Sequence, residues 1–103
     1  MDQLVVTNHA SDRIKERVGV SKKIAGEIAQ RAFDNGVTHA ETSGSLSRYL
    51  DHLFLQYEKA NNVRIYCGNV YIFINNVLVT TFPLPPKYRK TATKLQQKKG
   101  AKA

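Results

Sequence analysis

Residues 61–82 read NNVRIYCGNVYIFINNVLVTTF, rich in β-branched and aromatic residues and broken by two tight-turn signals, Gly68-Asn69 and Asn75-Asn76. Each dipeptide accepts the positive φ of a two-residue hairpin loop, so the stretch predicts a three-stranded antiparallel meander. With the turns there, Cys67 faces Val70, Ile65 faces Ile72 and Val63 faces Ile74; beyond the second turn Ile74 faces Val77, Ile72 faces Val79 and Val70 faces Thr81. Side chains alternate along a strand, which gathers Val63, Ile65, Cys67, Val70, Ile72, Ile74, Val77, Val79 and Thr81 on one face. That is a core face. The other receives Arg64, Tyr66, Tyr71, Phe73, Leu78, Thr80 and Phe82: a cation, aromatic rings and a hydroxyl, a surface suited to bases and phosphates. Phe73, Leu78 and Phe82 equally suit a place under a loop or tail, and tyrosines are common on the wet face of antiparallel sheets. A one-residue slip would exchange the faces.

Upstream, residues 3–6 read as a short first strand. Thr7 or Asn8 caps a helix over residues 9–18, closed by Gly19. Ser21 caps a second helix whose apolar positions Ile24, Ala25, Ile28, Ala29, Ala32 and Phe33 form one stripe, and Asn35-Gly36 ends it. After the linker VTHAET, Ser43 caps a third helix to about residue 58, with Leu46, Tyr49, Leu50, Leu53, Phe54 and Tyr57 on one side. This order predicts an α+β domain of two layers, helices packed on one face of an antiparallel sheet. The helices consume the aliphatic face. The second face then stays open or is partly covered by a partner, the tail or a substrate.

At 103 residues the chain holds one domain. It has no apolar run long enough to span a bilayer, and MDQLVVTNHA lacks a signal-peptide pattern, so the expected setting is cytoplasmic, with no membrane. The lone cysteine, Cys67, falls on the predicted core face and is read as a small buried hydrophobe. The net charge of +8 divides unevenly: residues 1–86 hold nine Lys/Arg against eight Asp/Glu, close to neutral. The other basic residues, Lys87, Arg89, Lys90, Lys94, Lys98, Lys99 and Lys102, follow Pro85-Pro86 with no acid among them. Residues 1–86 are therefore read as the globular domain and 87–103 as a disordered basic tail, drawn to RNA or another polyanion or serving only solubility. With about five to seven charges on a single strand, log K would fall with log salt at a slope near −3.5 to −5.

The first predicted helix carries the other concentrated signal. His9, Arg13 and Arg17 stand at i, i+4 and i+8 and share one side, flanking the apolar stripe of Ala10, Ile14 and Val18. His9 also lies in the first turn, where the helix's partial positive charge favours anions. An imidazole beside two guanidinium groups joins a proton-transfer group to a phosphate clamp. The same residues occur often as helix caps and surface charges.

The stretch TNHASDRIKERVGVS resembles the His-x-x-x-Arg-x-x-x-Arg opening of a family of small bacterial and phage proteins grouped with the barnase, EndoU, colicin-nuclease and RelE superfamily. The resemblance extends loosely to NNVRIYCGNVYIF and VLVTTFPLP. It implies a RelE- or barnase-like fold, RNA binding, a toxin-like role and metal-independent endoribonuclease activity, with the helix-opening histidine at His9 and the arginines at Arg13 and Arg17. The body lacks the dense Lys/Arg of RelE-type enzymes, which argues against ribosome-coupled cleavage.

RNA cleavage of this type is attack of a 2′-hydroxyl on the adjacent phosphorus, needing a proton acceptor, a proton donor and cations. His9 takes one proton role. His39, in the linker, is the candidate for the other, with Tyr71 or Tyr66 as substitutes; Arg13 and Arg64 stabilise charge, and Thr80 donates a hydrogen bond to a phosphate oxygen. No Gly-rich phosphate loop, paired cysteines or close metal-ligand spacing is present, so neither cofactor nor metal is expected. Two other readings stand beside this one. A phage-type inhibitor would bind a host nucleoprotein defence complex, anti-CRISPR-like, without an active site. A plain RNA-binding module would use Arg64, Tyr66 and Tyr71 as a stacking platform. A protein partner, antitoxin or nucleoprotein, fits the first two readings, and the oligomeric state is left open.

Overall fold

The meander of residues 61–82 forms the middle of a five-stranded sheet in a computed structural model that describes residues 4–101. The elements are β1 (Val5–Val6), α1 (Asn8–Val18), α2 (Lys22–Asn35), β2 (Val37–Thr38), a 3-10 turn (His39–Glu41), α3 (Gly44–Gln56), β3 (Asn62–Tyr66), β4 (Asn69–Ile74), β5 (Val77–Pro83) and α4 (Pro86–Ala101). The strand order is β1-β5-β4-β3-β2, with β1 parallel to β5 and the other neighbours antiparallel. The α+β class is as expected. Gln3, assigned to the first strand, and Lys102, assigned to the tail, lie outside the described residues.

The boundaries of α1 and α2 follow their caps, whereas Ser43 makes no side-chain capping bond to α3, which ends at Gln56. Thr7 Oγ1 accepts the Ala10 amide at 3.1 Å and Gly19 closes α1 in the left-handed region at φ 70°. Ser21 caps α2, and Gly36 ends it.

The register of β3 and β4 differs from the expected one by two places: Ile65 pairs with Val70 and Arg64 with Tyr71. The loop residues are Cys67 and Gly68, both at positive φ (48° and 78°), rather than Gly68 and Asn69. A slip of two keeps every side chain on its own face, so the division into faces survives for these strands. Cys67, however, is exposed at the turn rather than buried. Along β5 the expected pairing holds at Ile74–Val77 and then fails at a bulge. Phe73 pairs with Leu78 but Ile72 with Thr80, leaving Val79 as the extra residue and setting Phe82 opposite Val70.

The helices divide between the two faces of the sheet. Leu46, Leu50 and Leu53 of α3 and Ala92 of α4 bury the aliphatic face of Val63, Ile65, Val70 and Ile72, and Phe82 joins them. The second face is not open. Ala10 and Ile14 of α1 and Ala25, Ala29 and Ala32 of α2 close over Tyr71, Phe73 and Leu78. The α2 alanines recur at i, i+4 and i+7, and their small side chains let that helix approach the large rings; Phe33 meets Phe73 edge-on at 5.1 Å. Covering a residue such as Phe73 contributes ~1.5–3 kcal/mol, which an open second face would forgo.

Residues 86–101 are a docked helix rather than a disordered tail. Tyr88, Ala92 and Leu95 stand at i, i+4 and i+7 and pack on the aliphatic core. Pro86 suits the first helical position, where its missing N–H has no intrahelical partner. Gln96 Nε2 donates to Asn35 O at 2.8 Å, while Lys99 Nζ donates to Gly36 O at 3.0 Å and to Glu41 Oε1 at 2.8 Å.

Candidate nucleic-acid interface

Among the described residues, strand β1 pairs with β5 at Val77 and Leu78 alone, so β5 emerges as an open edge from Thr80 onward. Thr7 fastens the start of α1 to this strand: its amide donates to Leu78 O at 3.2 Å and its hydroxyl to Val79 O at 3.5 Å. With Ala10 and Ile14 turned into the core, His9, Arg13 and Arg17 are carried along the open edge. Tyr57, just past α3, reaches the same edge from the other face of the sheet. Between them lies an open groove of about 490 Å³, also lined by Glu16, Thr80, Thr81, Phe82 and Pro83.

Within the groove Thr80 Oγ1 and His9 Nε2 share a hydrogen bond of 3.3 Å, which orients the imidazole. The bulge at Val79 bends β5 here and redirects the side chains that follow it. Thr81 points its hydroxyl away, donating to Val70 O at 2.7 Å. The Tyr57 and Phe82 rings lie nearly parallel (18°) with centroids 6.4 Å apart, giving the groove an aromatic wall. Arg13 Nη1 meets Glu16 Oε2 at 3.7 Å, both well exposed; such a surface pair contributes ~0–1 kcal/mol and yields readily to a phosphate. Arg17 also borders an adjoining depression of about 400 Å³, with Cys67, Gly68, Asn69, Arg89 and Thr93.

The structure thus brings His9, Arg13, Arg17 and Thr80 together and places the other expected site residues elsewhere. Tyr71 is only 2% exposed beneath α1 and α2, and burial pushes its hydroxyl up to about 12, with Cys67 and Tyr66 adding to the effect. Tyr66 is half-buried against the same core. Arg64 ties β3 to the end of α2: Nη1 donates to Gly36 O, and Nε donates to Asn62 Oδ1 on its own strand, each at 3.0 Å. Burial lowers its pKa, partly offset by Glu41 and Asp34.

His39 follows β2, at the opposite end of the strand order from the β5 edge, and its Nε2 is bound to Asp51 Oδ1 at 2.7 Å with Phe54 edge-on. It does not meet His9. Of the α4 cations, Lys99 is bound to Glu41 and Gly36, and Lys98 borders a separate depression beside Glu41 and Leu95. Lys87 lies over the Tyr88 ring at 5.1 Å, and Lys90 and Lys94 are exposed but border neither the groove nor its neighbour.

Neither Tyr57 nor Glu16 stands out for the site in the sequence, and Phe82 is expected on the second face of the sheet with Arg64 and Tyr71. Tyr57 was legible as the last aromatic of an amphipathic helix, where a ring tends to reach past the core. The role of Phe82 depends on the bulge, which no residue type announces. Among the described residues no group of three His, Cys, Asp or Glu side chains could hold a metal ion, and no helix is long and apolar enough to cross a membrane. Comparison of the chain with protein-family models, with curated proteins and with solved structures finds no match.

Proposed function

We propose that this protein binds single-stranded RNA in the groove between α1 and the β5 edge and cleaves it without a metal, in the cytoplasm. The observation that carries the reading is the convergence of one imidazole, two guanidinium groups and a hydroxyl on one open groove, with His9 held by Thr80. Arg13 and Arg17 recur every four residues at ~1.5 Å rise, about 6 Å apart along the helix, on the scale of successive backbone phosphates. The Tyr57–Phe82 wall offers a face for an unstacked base, which favours a single strand. The RelE/barnase-type superfamily suggested by the opening of α1 is consistent with this and supplies the prior for RNA.

In the proposed reaction His9 accepts the proton of a 2′-hydroxyl, whose oxygen attacks the adjacent phosphorus. The P–O5′ bond breaks, leaving a 2′,3′-cyclic phosphate and a 5′-hydroxyl; Arg13 holds the non-bridging oxygens as charge gathers there, and Arg17 holds the neighbouring phosphate. Tyr57, the hydroxyl-bearing ring of the facing wall, supplies the proton to the leaving oxygen.

The test is incubation of labelled RNA with the protein in EDTA. Products ending in 2′,3′-cyclic phosphate, reduced ~10²-fold or more by His9→Ala, support the reaction; intact RNA at high protein excess refutes it. A second reading, a non-catalytic RNA-binding module, draws on the distance of His39: the groove holds a single imidazole. It predicts intact RNA with binding that still depends on Arg13 and Arg17.

A further inference from the structure

The His9 groove and the neighbouring depression share Arg17, and they are joined along the sheet as well: Pro83, which borders the first, pairs with Asn69, which borders the second. We infer that they form one continuous track, in which Arg17 and Arg89 make a second phosphate subsite for a single-stranded RNA several nucleotides long. This rests on the groove being an RNA site, as proposed above, and adds the length of the ligand and the path it takes.

Arg17 comes from α1 and Arg89 from α4, so two elements far apart in sequence deliver cations to the β3–β4 turn. Among the described residues no carboxylate borders this second depression, whereas Glu16 borders the first. Among the described residues neither Arg17 nor Arg89 takes part in an ion pair. Arg89 is anchored by Nε, which donates to Leu84 O at 3.3 Å, and this leaves its two terminal nitrogens for the bidentate geometry that arginine makes with phosphate. The Thr93 hydroxyl adds a neutral donor beside it. The charge of α4 therefore acts at one defined point, Arg89, whereas Lys90 and Lys94 lie off the track.

Cys67 is the single cysteine of the chain, is exposed, and borders the second depression, which makes it a natural reporter. The experiment measures its alkylation by N-ethylmaleimide in the full chain, with 2′-O-methyl oligouridylates that resist cleavage. A saturating octamer should slow the reaction about fivefold or more while a dinucleotide does not. Arg89→Ala should weaken octamer binding roughly tenfold and leave dinucleotide binding unchanged. An octamer that saturates the protein yet leaves the Cys67 rate unchanged, or binds Arg89→Ala as tightly as the parent, overturns the second subsite. If that same octamer still loses affinity in Arg13→Ala, the groove reading stands and only the subsite falls. If neither oligonucleotide binds, both fall together.

Discussion

Replacing Gly36 by alanine tests the packing that ties α2, β3 and α4 together. The backbone there has an ordinary φ of −64°, so the constraint is space rather than conformation. A Cβ would lie 2.5 Å from the Ala32 carbonyl oxygen and 2.9 Å from the Cβ of Arg64, and neither is the tip of a flexible side chain. The end of α2 must therefore shift from β3, and overpacking of this kind costs ~1–3 kcal/mol. The Gly36 carbonyl also accepts from Arg64 Nη1 and Lys99 Nζ, each at 3.0 Å. Displacing it weakens both bonds, adding ~1 kcal/mol. The expected total is about 2–4 kcal/mol, which for a domain near this size lowers Tm by roughly 15 °C. Urea unfolding followed by circular dichroism measures the loss directly, provided the m-value is unchanged. A loss below ~0.5 kcal/mol would refute the close approach of α2 to β3.

Other substitutions separate structural roles from functional ones. Tyr71→Phe should leave RNA binding unaltered, because the ring is buried in the core. Because burial raises this tyrosine to about 12, the stability it lends is complete below pH 10 and drains away as pH rises toward 12. The phenylalanine variant should therefore resist alkaline unfolding better, and an unchanged alkaline midpoint by circular dichroism would contradict that. For Glu41, burial acts to raise the pKa, but hydrogen bonds from Lys99 and Thr38 outweigh it and bring the value to about 2. Its contribution is present above about pH 4.5 and is lost as pH falls toward 2, so Glu41→Gln should cost ~1 kcal/mol at pH 7 and nothing near pH 2. Denaturant titrations at the two pH values check this. Removing residues 86–103 uncovers the aliphatic face beneath Tyr88, Ala92 and Leu95 and should destabilise the chain by ~3 kcal/mol or more. A truncated chain with the parent's urea midpoint would show that α4 does not dock.

The boundaries of α1 and the start of α2 were legible because Thr7, Ser21 and Gly19 cap by local chemistry that needs no tertiary partner. The faces of β3 and β4 were legible despite a misplaced turn, since moving the loop from Gly68-Asn69 to Cys67-Gly68 shifts the pairing by two and preserves alternation. The bulge at Val79 was not legible: VLVTTF alternates plausibly in either register, and only the docking of α1 and α3 decides where Thr80 and Phe82 point. In residues 87–103 the density of charge masks the Tyr88, Ala92, Leu95 stripe. Arg64, Tyr66 and Thr80 likewise lend the face of Tyr71 and Phe73 the look of a surface, although rings of that size with alanine-lined helices available pack more favourably inside. Of the candidate site, the α1 row was readable from spacing alone. Its partners were not, because the sheet edge, the end of α3 and α4 come together only in the fold.

The central claim is that the α1–β5 groove receives phosphate through Arg13 and Arg17, and a binding titration tests it most directly. Fluorescence anisotropy of a 2′-O-methyl octamer across a salt series would compare the parent, Arg13→Ala/Arg17→Ala, and Lys22→Ala/Lys23→Ala, which removes equal charge outside the groove. Losing two phosphate contacts should flatten the log–log salt slope by about 1.4 and weaken binding by at least roughly 30-fold, with the lysine pair close to the parent. Equal affinities and slopes for the arginine variant and the parent would contradict the account.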